Sequence, residues 1–321
     1  MKGLAEILRR ILDSVRRTYR LYKEAAEMAP SSETKALFDS LAGEELRHEE
    51  ALKTLSSLEA GETLIAPQGA SAEQALAEME RELSIAAAVQ ANLLPKQIPD
   101  VPGLDMAAVS IPARRVGGDY YDLLYKPDAG ELAVVIGDVM GKGFGAALLM
   151  ANVRAAWRTN YVHGLSADWI LDAINRALQS DFNENTSFVT LFTGVYDVAA
   201  RTFTYSNAGH NPAWLIKASE KHVTELGPSG IVVGIEERAA YVAKSVTLSA
   251  GDLLFLYTDG LLDAWSRNML EAEAELGKCL LDCRSQNAAG ILSEATKPLR
   301  KSPGNLTDDA SCLVIKVVDS P

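Results

Sequence analysis

Four aspartates recur in the same local setting along this sequence. Each lies at or beside the end of an apolar stretch, next to glycine or another turn-forming residue: Asp119 in VGGDYYD, Asp138 in VVIGDVMGKG, Asp259 in LFLYTDGLLDA and Asp308 in GNLTDDASCLVI. A single aspartate of this kind is ordinarily a turn residue or a helix N-cap. Four carboxylates that converge, with no basic residue adjacent in sequence, would raise one another's pKa unless a cation lay among them.

The donor atoms indicate which cation this set would hold. Every candidate ligand is a carboxylate oxygen, and no histidine or cysteine stands beside any of the four aspartates. Such a set favours a hard, octahedral cation, Mg²⁺ or Mn²⁺, over zinc. Because aspartate is short, the backbone itself must place the ions. The glycines that allow tight turns at these points are Gly117, Gly118, Gly137 and Gly260.

The elements that must position these aspartates follow a helical region. Residues 3–28 and 31–58 carry apolar residues at helical spacing on either side of Pro30, which predicts an antiparallel helical hairpin. A linker rich in Gly, Pro and Ser comes next. A third helix is predicted from about residue 71 to Leu94, and Pro95 ends it.

Beyond Pro95 the pattern changes to that of strands. ELAVVIGDV (131–139) is typical of a buried strand, and residues 188–198 and 201–209 alternate as a β-hairpin does. Helices are predicted between the strands, near residues 144–160, 167–181 and 286–299. Strands that follow one another at hairpin spacing, with helices inserted in pairs, favour an α+β fold with antiparallel sheets over a parallel βαβ array.

Composition indicates an ordinary soluble globular protein of 321 residues, with 48% hydrophobic and 23% charged residues. We expect no membrane span and no secretory signal. The net charge of −12 disfavours a nucleic-acid partner. The three cysteines, Cys279, Cys283 and Cys312, are expected to be buried free thiols, which predicts a reducing, cytoplasmic location.

Five motifs in residues 107–317 resemble the PPM family of metal-dependent protein phosphatases, in its RsbU-like and sporulation-phosphatase branch. They are VGGDYYD, GDVMGKGFGAALLM, NAGHNPAWL, LYTDGLLDA and DDASCLVI, in that family's order. The resemblance implies an α–β–β–α sandwich with two Mn²⁺ or Mg²⁺ ions in a cleft at one end of the sheets. It also implies hydrolysis of phosphoserine or phosphothreonine by a metal-activated water, without a covalent intermediate.

The resemblance assigns roles position by position. Asp119 and Asp138 match the central metal ligands, with the Val139 carbonyl as a further donor, and the late ligands are Asp259 and Asp308. The residue after them, Asp309, stands where many relatives have asparagine and is expected to support the ligands rather than bind metal. The branch implies a phosphorylated STAS-domain anti-anti-sigma protein as substrate. A catalytically silent binding module of the same fold is the alternative.

Several polar residues near these motifs have more than one interpretation. Lys142 and Arg115, with its neighbour Arg114, are either substrate-phosphate contacts or solvated surface charges. His210 in NAGHNP is expected to make structural hydrogen bonds rather than act as an acid. GKGFGA also fits a weak dinucleotide-binding fingerprint, but no strand ending in an acidic residue follows about 20 residues later. A Walker A loop is excluded because no Ser or Thr follows Lys142.

The N-terminal hairpin resembles rubrerythrin-type ferritin-like proteins. Glu45 and His48 form a Glu-x-x-His pair on one helical face, but Val15 stands where a ligand glutamate is expected. A degenerate half-domain for dimerisation or sensing is favoured over a working di-iron site or plain helical packing. The predicted organisation is therefore residues 1–60 as this hairpin, 61–98 as a linker and switch helix, and 99–321 as the phosphatase domain, in a homodimer.

Overall fold

The computed structural model describes residues 72–185, 187–301 and 306–319, together with seven isolated positions before residue 72. The side chains of residues 72–80, 82, 180–185 and 301 are also outside the description. Backbone contacts divide the chain into two compact units, Met1–Glu80 and Arg81–Pro321. The predicted N-terminal pair of Glu45 and His48 lies outside the described residues, whereas every other candidate site residue belongs to the second unit.

Ten strands and seven helices make up the described part of the chain. The strands are β1 (Leu104–Ile111), β2 (Asp119–Lys126), β3 (Glu131–Val139), β4 (Val189–Asp197), β5 (Thr202–Ala208), β6 (Ala213–Ile216), β7 (Thr224–Leu226), β8 (Lys244–Thr247), β9 (Leu253–Tyr257) and β10 (Ala310–Val317). The helices are α1 (Ala72–Leu93), α2 (Phe144–Val162), α3 (Ala167–Asn185), α4 (Asp259–Trp265), α5 (Met269–Cys283), α6 (Ala288–Ala295) and α7 (Lys297–Lys301). None of these helices is both long and apolar enough to cross a bilayer.

The strands form two five-stranded sheets, in the orders β1-β10-β9-β6-β7 and β2-β3-β4-β5-β8. Every strand pair in both sheets is antiparallel. One apolar core fills the space between the sheets. A second core joins the sheet that contains β3 to α2 and α3, and a third joins the sheet that contains β9 to α4, α5 and α6. The molecule thus has the predicted order of layers, with helices outside two antiparallel sheets.

Strand β3 shows how the sequence sets this arrangement. It lies between β2 and β4 and has a core on each face, so its apolar run needs no polar alternation. Val134 and Ile136 pack between the two sheets, whereas Ala133 and Val135 pack against the helices. Because side chains alternate along a strand, Asp138 lies on the same face of β3 as Val134 and Ile136, the face between the two sheets.

Candidate metal centre

The four predicted ligands lie at the same end of the sandwich. Asp119 begins β2 and faces Asp138, near the end of β3, as its direct cross-strand partner. In the other sheet, Asp259 follows the end of β9, and Asp308 precedes the start of β10. Since β9 and β10 are antiparallel neighbours, the end of one lies beside the start of the other. The structure therefore brings together carboxylates that are up to 189 positions apart, counting from residue 119 to residue 308.

Asp119 and Asp138 make an unfavourable pair in the absence of a cation. Asp119 is buried, and both side chains share the inward face of their sheet. Like charges directly opposite each other destabilise an antiparallel pair. Burial, followed by the charge of Asp138, raises the pKa of Asp119 well above its usual value. Burial and the neighbouring carboxylates, Asp259 first, raise the pKa of Asp138 to about 7.

The second sheet contributes the other half of the cluster. Burial and the charge of Asp308 raise the pKa of Asp259, which occupies the first turn of α4. The backbone approaches closely here, because a Cβ at Gly260 would lie 2.1 Å from the carbonyl oxygen of Asp309. Lys142 Nζ lies 2.8 Å from Asp308 Oδ2 and also donates to the Thr307 carbonyl. One ammonium group thus offsets part of the negative charge of the cluster.

A small cradle next to Gly118 fits an oxygen-coordinated cation. A Cβ at this glycine would lie 2.6 Å from the Val139 carbonyl oxygen and 3.5 Å from Asp138 Oδ1, so the absence of a side chain keeps both oxygens accessible. Within the described residues, no three acidic, histidine or cysteine side chains already enclose a common point as metal ligands. Bound ions would therefore have to draw the carboxylates together, and the positive charge of the ions would offset the mutual repulsion that opposes this closure.

Asp309 supports the cluster through the backbone. Its Oδ1 accepts a hydrogen bond from the Ala113 amide and its Oδ2 accepts one from the Gly118 amide, both at 2.7 Å. Both carboxylate oxygens are thereby occupied in holding the segment that leads into Asp119. Thr258 was not among the residues selected from the sequence. Its hydroxyl donates to Asp119 Oδ2 at 2.7 Å and accepts from the Ser311 amide at 2.9 Å.

Helix α1 docks on the segment before Asp119, as the family resemblance implies for the linker helix, but no sequence pattern identified Gln90 as the residue that makes the contact. The Gln90 side chain donates to the Gly117 carbonyl at 2.5 Å and accepts from the Gly117 amide at 3.0 Å. Arg115 also turns toward this helix, with Nη1 donating to Ser84 Oγ at 2.6 Å. The hydrogen bond to Asp308 raises the pKa of Lys142, and the positive charge of the exposed neighbour Arg114 opposes this shift. Of the two arginines, Arg114 is the one near the carboxylate cluster.

His210 lies at the turn between β5 and β6, where its ring is buried. Its Nδ1 is 2.8 Å from the Thr190 hydroxyl, and its backbone amide donates to Asn207 Oδ1 at 2.8 Å. Burial lowers the pKa of His210 to about 4, so the ring is neutral at physiological pH. A neutral, buried ring whose Nδ1 contacts a hydroxyl on β4 is arranged to hold this turn against the sheet.

The remaining sequence motifs take ordinary places in the fold. GKGFGA joins β3 to α2, but β4, the next strand, runs antiparallel to β3, so this is no dinucleotide-binding βαβ unit. Cys279, Cys283 and Cys312 are free thiols. Cys283 and Cys312 are buried, and Cys279 is half-buried.

Comparisons with known proteins agree with this architecture. Phosphoserine phosphatase RsbU of Bacillus subtilis (strain 168) is 29% identical over 240 residues, which is 74% of this chain and 71% of that protein. The structure of the RsbU and RsbW domains of Rv1364c from Mycobacterium tuberculosis matches with a TM-score of 0.62 and 27% identity, over 71% of this chain and 64% of that chain.

A third protein shares the fold at lower identity. The catalytic domain of the serine/threonine protein phosphatase PstP, solved with two manganese ions, matches with a TM-score of 0.50 and 18% identity, over 67% of this chain and 99% of that chain. These likenesses confirm the predicted phosphatase-like sandwich of two antiparallel sheets. The family model of stage II sporulation protein E matches residues 128–318. The chain therefore belongs to the SpoIIE family.

Proposed function

We propose that this chain is a metal-dependent protein phosphatase that removes phosphate from phosphoserine or phosphothreonine on a partner protein. The observation that carries the proposal is the cluster of Asp119, Asp138, Asp259 and Asp308 at one end of the sandwich. Burial and mutual repulsion raise the pKa of the first three. Divalent cations would relieve that repulsion. Two Mn²⁺ or Mg²⁺ ions would be held by these carboxylates with the Val139 carbonyl.

Each part of the chain then has a task in hydrolysis. Two divalent cations held by Asp119, Asp138, Asp259 and Asp308 would supply charge neutralisation of the phosphate ester and a water molecule of lowered pKa. The carboxylates hold that charge in place, and Asp309 and Thr258 fix the segments that carry them. Lys142 and Arg114 lie on the rim of the cluster, where they favour the approach of a dianionic phosphate.

An apolar stripe beside the cluster supports a protein substrate over a small metabolite. Met140, Phe144 and Leu148 are spaced four residues apart from the loop after β3 into α2, and their exposed fractions are 48%, 39% and 40%. Exposed apolar side chains grouped in this way are typical of surfaces that contact other proteins. Relatives of this chain include proteins named phosphoserine phosphatases RsbU and RsbP. A phosphorylated STAS-domain protein in a sigma-factor pathway is the substrate that the family resemblance favours.

The N-terminal part of the chain is assigned from the sequence. We infer that residues 1–60 and the helix that follows form a homodimer, and that Glu45 and His48 are the remnant of a ferritin-like metal pair. The expected location is the cytoplasm.

One experiment separates the enzyme from a silent binding module of the same fold. Turnover of para-nitrophenyl phosphate and of a phosphoserine protein is measured after chelation, with and without added Mn²⁺. We expect turnover only with the divalent cation, and its loss in Asp119→Asn and Asp138→Asn, because each change removes a carboxylate ligand. Asp128→Asn, at an exposed turn between β2 and β3, is the matched control and should retain parental turnover. Turnover that resists chelation would refute the metal mechanism. If neither substrate is turned over with or without Mn²⁺, the silent binding module would be favoured.

A further inference from the structure

The second aspartate of the VGGDYYD motif, Asp122, takes no part in the metal centre. It lies three residues after Asp119 on β2, so strand alternation turns it toward the helices instead of the cleft. Its neighbours in this alternation, Tyr120 and Leu124, pack in the core that α2 and α3 share with this sheet. The side chain of Asp122 is completely buried. An ionised carboxylate in such surroundings is costly unless other groups pair with it.

Helix α2 supplies two arginines to this carboxylate. Arg158 makes a bidentate contact with it: Nε donates to Oδ2 at 2.6 Å and Nη2 donates to Oδ1 at 2.8 Å. Arg154, one helical turn earlier, places its Nε 3.6 Å from Oδ2. The Tyr120 hydroxyl donates to the same oxygen at 3.3 Å. These four residues, called here the Asp122 cluster, tie the middle of α2 to strand β2.

The first turn of the same helix touches the chain at a second point, next to the metal centre. A Cβ at Gly118 would lie 3.2 Å from the Cβ of Ala146, so α2 packs directly on the glycine that precedes Asp119. The loop between β3 and α2 also carries Lys142 to Asp308. Apolar packing also joins α2 to this sheet, but it does not by itself impose a direction. The Asp122 cluster adds a directional contact that fixes the middle of α2 against β2 while its first turn lies on Gly118.

We propose that Asp122, with Arg154 and Arg158, positions helix α2 so that the carboxylates can close around divalent cations. This inference rests on the proposed function, because it concerns the same metal centre. Pairing buried charges adds little net stability, since removal of both charges from water cancels most of their attraction. A two-pronged arginine–carboxylate contact does impose a defined geometry. Asp122 and its arginines are therefore positioning residues, and they act through the helix without touching metal or substrate.

The test measures the binding of Mn²⁺ itself to the full chain by calorimetry, at a temperature where thermal melting shows each variant to be folded. Arg158→Met removes the two-pronged contact, Arg158→Lys keeps the charge without it, and Asp122→Asn removes the carboxylate charge. We expect Mn²⁺ affinity to fall about 5-fold or more in Arg158→Met and Asp122→Asn, and less in Arg158→Lys. Turnover of para-nitrophenyl phosphate at saturating Mn²⁺ should return to near the parental value.

The matched control is Arg176→Met, which breaks an exposed arginine–aspartate pair on the neighbouring helix α3, where Arg176 Nη2 lies 2.6 Å from Asp172 Oδ2. It should leave Mn²⁺ affinity unchanged. Parental affinity in folded Arg158→Met and Asp122→Asn would overturn the positioning role, as would an equal loss in Arg176→Met. A parent protein that binds no Mn²⁺ would instead refute the proposed function, a result that differs from either of these.

Discussion

Replacing Gln90 with leucine removes both hydrogen bonds that join α1 to the segment leading into Asp119. The Gln90 amide spans the Gly117 backbone, donating to its carbonyl at 2.5 Å and accepting from its amide at 3.0 Å. Each bond contributes about 1 kcal/mol net, so the pair is worth about 2 kcal/mol. If that whole contribution is coupled to the geometry of Asp119, it corresponds to a change of about 30-fold in metal affinity.

The assay is turnover of para-nitrophenyl phosphate as a function of Mn²⁺ concentration, with calorimetric Mn²⁺ binding as the independent measurement. We expect Gln90→Leu to need several-fold more Mn²⁺ for half-maximal turnover, because Gly117 then loses both of its hydrogen bonds to α1. Asn92→Leu is the matched control, since it removes an exposed amide from the same helix. The same Mn²⁺ dependence in parent, Gln90→Leu and Asn92→Leu would show that the helix is a tether without influence on the site.

Three further predictions concern other parts of the chain. Because burial places the folded pKa of His210 at about 4, below the value near 6.5 of an unfolded histidine, its contribution of roughly 3 kcal/mol is present above pH 6.5 and is lost as the pH falls toward 4. The stability difference between parent and His210→Gln, from urea unfolding, should therefore shrink over that range; a constant difference would refute this. Phe144→Ala should raise KM for a phosphoserine protein roughly 10-fold, from about 1–2 kcal/mol of lost apolar contact, with unchanged para-nitrophenyl phosphate kinetics; equal effects on both substrates would contradict a docking role. A fragment of residues 1–60 should dimerise in light scattering and retain no stoichiometric iron, because Val15 replaces a ligand; a monomer, or chelator-resistant iron, would contradict these expectations.

The parts of the fold with strong local patterns were predictable from the sequence. β3 spans 131–139 as predicted, and β4 and β5 lie within one residue of the predicted hairpin strands. The helix predicted near 286–299 is instead two short helices, α6 and α7, that meet at Thr296. Strand β1 and helix α5 were not predicted. β1 is an edge strand with partly exposed side chains, so it lacks the continuous apolar run that identifies β3.

A site residue could be predicted only where a metal-binding side chain and a recognisable backbone feature occur together in the sequence. The four aspartates stand out because a turn residue accompanies each one at a strand end. Thr258 carries no such signal, since a threonine at the end of a strand is an ordinary residue. From helical spacing alone, Leu76, Met79, Leu83 and Leu93 form an apolar seam along the linker helix, and Gln90 is only a polar interruption of that seam. The structure occupies its amide with Gly117, a contact that no helical periodicity could reveal.

The cluster of carboxylates also explains why so many contacts converge on the short segment from Gly117 to Asp119. Buried carboxylates that repel one another favour a separation of the strands that carry them. The opposing contacts come from three directions: Gln90 on Gly117, Asp309 on Gly118 and Thr258 on Asp119. Each contact holds backbone or a single carboxylate oxygen, and none supplies a positive charge that would cancel the repulsion. These three contacts therefore oppose separation of the strands without neutralising the carboxylates. Divalent cations then bind most favourably, because the full negative charge remains available to them.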